Sequence, residues 1–298
     1  VTGTAQRDTP GTAAAPELPR PTRRSGTERL RTVGRGVSQT LITVGLVALL
    51  FVVYQLWITD LLAARAQDQL AETIQEQWAD TPTVEPPPSD ALPPADAPTV
   101  QAPPGSAPAP AEPAPGHTPG AIEADLGDPF AILHIPRLGE DYSRVVVEGA
   151  SEVQLERGPG HYAGTAMPGQ QGNFAVAGHR VGRGSPFLDL DRMRPGDPIV
   201  VETDDSWFVY RVLGDPASGD FAADPSGIPG RQIVRPSEVA VISPTPGGPA
   251  RGEASGAYLT LTTCHPKYSA QQRMIIHARL DGAPLSKAAA PDGPSALG

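Results

Sequence analysis

Positions 41–58 form an apolar run broken mainly by Gln55 near its far end. A helix needs about 20 such residues to cross the hydrocarbon core of a bilayer, and no polar face interrupts this one. Tyr54 and Trp57 lie where an interfacial aromatic belt belongs. The run predicts a transmembrane helix over 39–58. Residues 1–38 carry seven arginines against three acids and show no apolar periodicity, which predicts a disordered tail. The positive-inside rule keeps that tail in the cytoplasm and exports the rest. A cleaved signal peptide is the competing reading, because Ala64-Arg65-Ala66 has the small-x-small form, but the apolar run exceeds the usual signal core.

Beyond the run, Leu62, Ala66, Leu70, Ile74 and Trp78 recur every four residues among charged and amide side chains, predicting an amphipathic helix over 59–80. Its partner is left open between the rest of the chain, a second copy and lipid headgroups. Residues 81–120 are dominated by Pro, Ala and acids, a composition that favours extended chain over a core and reads as a stalk reaching on the order of 100 Å. With 36 prolines, 32 glycines and 5% aromatic residues, one compact domain is expected, over 121–282, followed by a loose tail at 283–298. The net charge is −10, and since residues 1–38 contribute +4 (seven minus three), the remainder carries −14, which disfavours nucleic acid as the main partner.

Within that domain the readable elements are short strands at 130–135, 143–147, 198–203, 207–213, 232–234, 238–242, 258–264 and 273–280. Few helical patterns separate them, so the fold class is mainly β, a closed or nearly closed barrel with short helices. Leu259 and Leu261 alternate against Tyr258, Thr260, Thr262 and Cys264. Pairing this strand antiparallel with 273–280 so that Leu261 faces Ile276 sets Cys264 opposite Arg273 and Thr260 opposite His277. Cys264 is the only cysteine, so no intrachain disulfide forms. A thiol beside a fixed positive charge is favoured as the nucleophilic thiolate, and His179 is the candidate proton carrier. A lone strand cysteine is equally read as a small buried hydrophobe.

Three separated motifs decide between these readings. Thr260-Leu261-Thr262-Thr263-Cys264 resembles the TLxTC signature of sortases, Arg273 stands where their arginine stands, and Asn173-Phe174-Ala175-Val176-Ala177-Gly178-His179-Arg180 resembles their histidine segment. Gly158 to Tyr162, Met167-Pro168-Gly169, Phe187-Leu188 and Pro195-Gly196-Asp197 follow in the family's order, so the resemblance covers 128–280. The Thr-Thr pair before the cysteine and the His-Pro pair after it are most like class E, the actinobacterial housekeeping type. Asp128-Pro129-Phe130 resembles the lid tripeptide of class C, but it runs straight into a strand and reads as strand entry.

The resemblance implies an eight-stranded sortase barrel and a membrane-anchored cysteine transpeptidase acting on secreted proteins that bear a C-terminal sorting signal of the form Leu-Ala-x-Thr-Gly or Leu-Pro-x-Thr-Gly. It implies Cys264 as nucleophile, Arg273 as oxyanion donor and His179 as acid and base, with a peptidoglycan precursor or cell-wall peptide amine as acceptor. No metal or other cofactor is expected. Tyr162, Thr262 and Thr263 are expected to border the peptide groove, Tyr162 favouring a small Ala in the substrate, with His161 beside it. His265 points away from Cys264 by strand alternation, and His277 reads as a hydrogen-bonded packing histidine. His117 falls in the linker and His134 in the first strand. The alternatives are a thiol peptidase of another lineage and a non-catalytic, membrane-tethered barrel that binds envelope peptides.

Overall fold

The computed structural model describes residues 26–54, 59–80 and 119–298, in two compact units, 1–52 and 53–298. In the first unit helix α1 spans Gly26–Val53. Its segment Val33–Val53 is long and apolar enough to cross a membrane. The helix thus begins inside the arginine-rich region expected to be disordered. Once the apolar stretch is helical, each added residue costs only its own ordering, so the helix extends past the last strongly apolar position. Residues 1–25 and 55–58 lie outside the described residues.

The second unit is a barrel. Its strands are β1 (Pro129–His134), β2 (Ser143–Glu148), β3 (Gly160–His161), β4 (Gly172–Ala177), β5 (Pro198–Glu202), β6 (Ser206–Val212), β7 (Arg231–Val234), β8 (Ala257–His265), β9 (Gln272–Leu280) and β10 (Leu285–Ser286), with one short helix, α3 (Glu152–Leu155). Eight of them run in the order β6-β5-β1-β2-β3-β4-β8-β9, and the β6–β9 pairing closes the ring. The other two extend it, β7 on β9 and β10 on β6. Two neighbouring pairs are parallel, β2 with β3 and β4 with β8.

Leu259, Leu261, Met274, Ile276 and Ala278 fill the interior with Phe174, Phe208 and Tyr210, while Thr260, Thr262 and Cys264 occupy the other face of β8. The expected register is present: Leu261 pairs with Ile276, Leu259 with Ala278, Thr260 with His277 and Cys264 with Arg273. Residues 238–242, expected as a strand, form instead a 3₁₀ turn at Val239–Ile242. The turn crosses the outer face of β4, where Asn173 Nδ2 donates to the carbonyls of Val241 and Ser243, so its backbone is satisfied by a side chain rather than a ladder. Strands β3 and β4 carry no alternation to read, because β3 has two residues and β4 is buried on both faces.

The expected loose tail is a correction too. Leu285 and Ser286 pair with Trp207 and Ser206, Trp207 Nε1 donates to the Ala290 carbonyl, and Lys287 Nζ reaches Glu202. Helix α2 spans Thr59–Asp80 and lies on β1 and β2. Leu70 and Ile74 pack with Ile132, Val145 and Val147, and Trp78 joins them. Each aliphatic side chain so buried stabilises the contact by about 2 kcal/mol. The buried stripe starts at Ala63 rather than at Leu62, which is exposed. Residues 81–118 lie outside the described residues, but the chain leaves from α2 and returns at Gly120, whose N–H donates to Asp205. The stalk expected over 81–120 therefore falls almost wholly outside the described residues.

Candidate active site

Strand β8 ends at His265 because Pro266 has no N–H to continue a ladder. Cys264 is therefore at the rim, partly exposed, one pair from the end of the β8–β9 ladder. On its other side runs β4, parallel, with Ala177 paired to Thr262. Gly178 N–H donates to the Thr262 carbonyl at 3.0 Å and Thr263 Oγ1 donates to the Gly178 carbonyl at 2.8 Å, which carries the register past the last strand residue. His179 follows Ala177 by two residues as Cys264 follows Thr262 by two. The topology thus brings the chain at His179 to one side of Cys264 and Arg273 to the other.

His179 is half-buried, and its Nε2 is buried with no hydrogen-bond partner among the described residues. Burial lowers its pKa below the ordinary 6.5, only partly opposed by the charge of Glu152. The ring is a neutral imidazole at pH 7 with an uncommitted nitrogen, the state a proton acceptor requires. Arg273 spends only Nη1 on its own loop, donating to the carbonyls of Ala270 and Gln272 at 2.9 and 3.0 Å. Its Nε and Nη2 have no partner among the described residues.

Of the three residues expected to border the groove, two share the face of Cys264. Tyr162 OH and Thr262 Oγ1 are 2.9 Å apart, and Thr262 and Cys264 alternate onto one side of β8. Thr263 does not join them, since its hydroxyl is buried on the opposite face against Gly178. His161 is also turned away: it is fully buried between the rings of Phe130 and Phe174, with Nδ1 2.6 Å from Glu148 and Nε2 2.8 Å from Thr165 Oγ1. His134 bonds to Glu202 at 2.8 Å.

His277 is the packing histidine expected of it. Gln232 donates to its Nε2, its Nδ1–H reaches Thr260 Oγ1, and the Thr260 hydroxyl donates to Asn173 Oδ1. Every partner suits a neutral ring, and burial pushes its pKa down to about 3. This chain of amide, imidazole, hydroxyl and amide holds β9, β8 and β4 in step with the turn above them.

Arg180 escapes sequence reasoning although it follows His179 directly. Only 3% exposed, it donates from Nη2 to Asp191 at 2.7 Å and from Nε to the Leu188 carbonyl, and its Nη1 lies 3.3 Å from His265 Nδ1. It ties the loop after β4 to the end of β8 at His265. Its signal was a charge next to a buried strand, which does not by itself distinguish an anchor from a surface residue. No group of His, Cys, Asp and Glu among the described residues has the arrangement of a metal site.

The family model of the Sortase domain matches residues 133–281. Sortase SrtE1 of Streptomyces coelicolor is 34% identical over 253 residues, 83% of this chain and 56% of that protein. Sortase SrtE2 of the same organism is 32% identical over 82% of this chain and 80% of its own length. The structure of the SrtF sortase from Corynebacterium diphtheriae superposes with a TM-score of 0.54 and 38% identity, covering 60% of this chain and 96% of that one. The chain thus spans little more than half the length of the first of these relatives. It belongs to the sortase family, and the two Streptomyces relatives above are of class E.

Proposed function

We propose that this sortase is a membrane-anchored cysteine transpeptidase that cleaves a Leu-Ala-x-Thr-Gly-like, or Leu-Pro-x-Thr-Gly-like, sorting signal between Thr and Gly and joins the Thr to a cell-wall amine. The observation that supports the reading is the register that pairs Cys264 with Arg273 across an antiparallel ladder and runs β4 along its other side towards His179, whose buried Nε2 has no partner among the described residues. In this scheme His179 takes the Cys264 proton as Sγ attacks the Thr carbonyl carbon. The oxyanion of the tetrahedral intermediate is met by the free donors of Arg273. Collapse breaks the Thr–Gly bond, the imidazolium returns its proton to the departing Gly amine, and a thioester remains on Cys264. An incoming amine loses a proton to His179, attacks the thioester and expels the Cys264 sulfur, which regains that proton. Helix segment Val33–Val53 serves as the anchor, with the residues before it cytoplasmic and the barrel outside.

The Tyr162–Thr262 pair on the thiol's face supports a role in choosing the residue after Leu in the signal: an aromatic ring fixed at its hydroxyl fills space that a substrate Pro would need. The experiment is to incubate the full chain with Leu-Ala-x-Thr-Gly peptide, with and without a glycine-based amine, and to weigh the products. With the amine present, wild type should release the Leu-Ala-x-Thr amide in place of the free Leu-Ala-x-Thr acid, and Cys264→Ala should form neither. Cleavage that persists in Cys264→Ala would end the proposal.

A further inference from the structure

The loop that follows His179 is held in an unusual backbone state. Gly182, Arg183, Gly184 and Ser185 all have positive φ, at 72°, 53°, 77° and 43°. For the two residues that carry a Cβ, left-handed geometry costs roughly 1–2 kcal/mol each. Such a turn persists only where its surroundings fix it. Its base is closed by the Phe187 N–H donating to the His179 carbonyl at 3.1 Å, and Tyr142 OH donates to the Pro186 carbonyl. Arg183 pairs with Glu152 and Glu156 of the α3 region, and Glu152 is the carboxylate whose charge His179 feels.

The remaining partner comes from outside the barrel. Asp60 Oδ1, in the first turn of α2, accepts the Gly184 N–H at 3.1 Å. A Cβ added at Gly184 would lie 3.1 Å from the Ala63 methyl, so the helix meets the loop at a point where only hydrogen fits easily. Farther along, the Gln67 side chain acts as a peptide group for the edge of β2. Its Oε1 accepts the Val145 N–H at 2.8 Å, and its Nε2 donates to the carbonyls of Val145 and Arg157 at 3.2 and 2.7 Å. A Cβ at Gly158 would meet that amide at 2.0 Å. At the far end Lys287 Nζ lies 4.1 Å from the centre of the Trp78 ring while bonding Glu202. Two glycines clear space for α2 and three anchors of different chemistry hold it, so the helix is a built part of the barrel.

From these contacts we infer that α2 is a positioning element for the proposed catalytic histidine, with Asp60 as the positioning residue that fixes the left-handed turn through the Gly184 N–H. The inference rests on the reading of His179 as the proton carrier. Because the turn is closed onto the His179 carbonyl, releasing its tip loosens the backbone that aims the ring at Cys264. Substrate contacts on Tyr162 and Thr262 lie on other elements and are unaffected.

The test uses the full chain with Asp60→Ala and Asp60→Asn beside wild type, His179→Ala and Lys287→Ala. Amide hydrogen exchange at Gly184, kcat and KM for the signal peptide, and thermal midpoint are measured. Asp60→Ala should expose the Gly184 amide to faster exchange and lower kcat by roughly 5- to 20-fold at unchanged KM, about 1–2 kcal/mol of misplacement. Asp60→Asn keeps an acceptor oxygen and should restore most of both. Lys287→Ala, which removes an anchor remote from the turn, should lower the thermal midpoint without changing kcat. Faster Gly184 exchange in Asp60→Ala with kcat unchanged would overturn the inference, as would equal losses in Asp60→Ala and Asp60→Asn. Activity surviving in His179→Ala would instead sink the catalytic reading on which it stands.

Discussion

Cys264 and Arg273 face each other across the β8–β9 ladder, and the pairing is fixed from the interior by Leu261 against Ile276 three positions further in. A one-residue slip would turn Leu261 and Leu259 out of the core, so the register that joins thiol and guanidinium is protected by hydrophobic burial. The reactive pair inherits its geometry from the core.

Arg273 is expected to act through donors placed for an oxyanion. Arg273→Ala should lower kcat by about 100- to 1000-fold with KM nearly unchanged, as removal of an oxyanion donor does elsewhere. Arg273→Lys keeps the charge without the planar fork and should recover only part. Steady-state kinetics on the signal peptide checks both, and a change confined to KM would contradict the role.

The pKa of His179 lies below 6.5 because burial disfavours its charged form. Proton acceptance needs the neutral ring, so activity should fall on the acid side only as the ring becomes protonated, with a midpoint below 6.5. A pH profile of kcat/KM for acylation tests this. An acid midpoint above 6.5 would mean that some other group takes the Cys264 proton.

Tyr162 and Thr262 hold each other by a hydrogen bond on the thiol's face. Thr262→Val removes the bond and frees the ring, and Tyr162→Ala removes the ring itself. Both should narrow the preference for Leu-Ala-x-Thr-Gly over Leu-Pro-x-Thr-Gly, Tyr162→Ala the more. Competition between the two peptides, read by mass spectrometry, gives the ratio directly, and an unchanged ratio in Tyr162→Ala would remove Tyr162 from the specificity account.

His277 stays neutral in the fold with a pKa of about 3, while the unfolded chain binds its proton near 6.5. The unfolded state therefore gains protons first as pH falls, and stability present above 6.5 is lost from there down towards 3. The slope is about 1.4 kcal/mol per pH unit for one such group. Denaturant midpoints taken from pH 7.5 to 5 should drop for wild type and drop less for His277→Gln, which keeps a hydrogen-bonding side chain without the titration. Parallel curves for the two would show that His277 is not the acid-sensitive group.

The cysteine and arginine motifs were legible because they sit on alternating strands, and alternation states the face of every side chain at once. That is why the Cys264–Arg273 and Thr260–His277 pairs could be written down from β8 and β9 alone. Strand β4, buried on both sides, gave no such signal, although its register with β8 leads the chain to His179. Thr263 was misplaced for a simpler reason: it lies within the motif, but strand alternation turns it to the face opposite Cys264. The stalk expected over 81–120 rests on composition alone and falls almost wholly outside the described residues. Leu70, Ile74 and Trp78 were read as an apolar stripe, yet the Gln67 amide that matches the edge of β2 has no signature in periodicity. Asp60 is likewise one acid among many until its partner at Gly184 is seen.

The most direct measurement is the intact mass of the protein during turnover of Leu-Ala-x-Thr-Gly peptide without added amine, followed by peptide mapping of the adduct. Wild type should gain the mass of the Leu-Ala-x-Thr acyl group on Cys264, lost again when amine is added. Its absence from a folded protein, or its location on any other residue, would contradict the account.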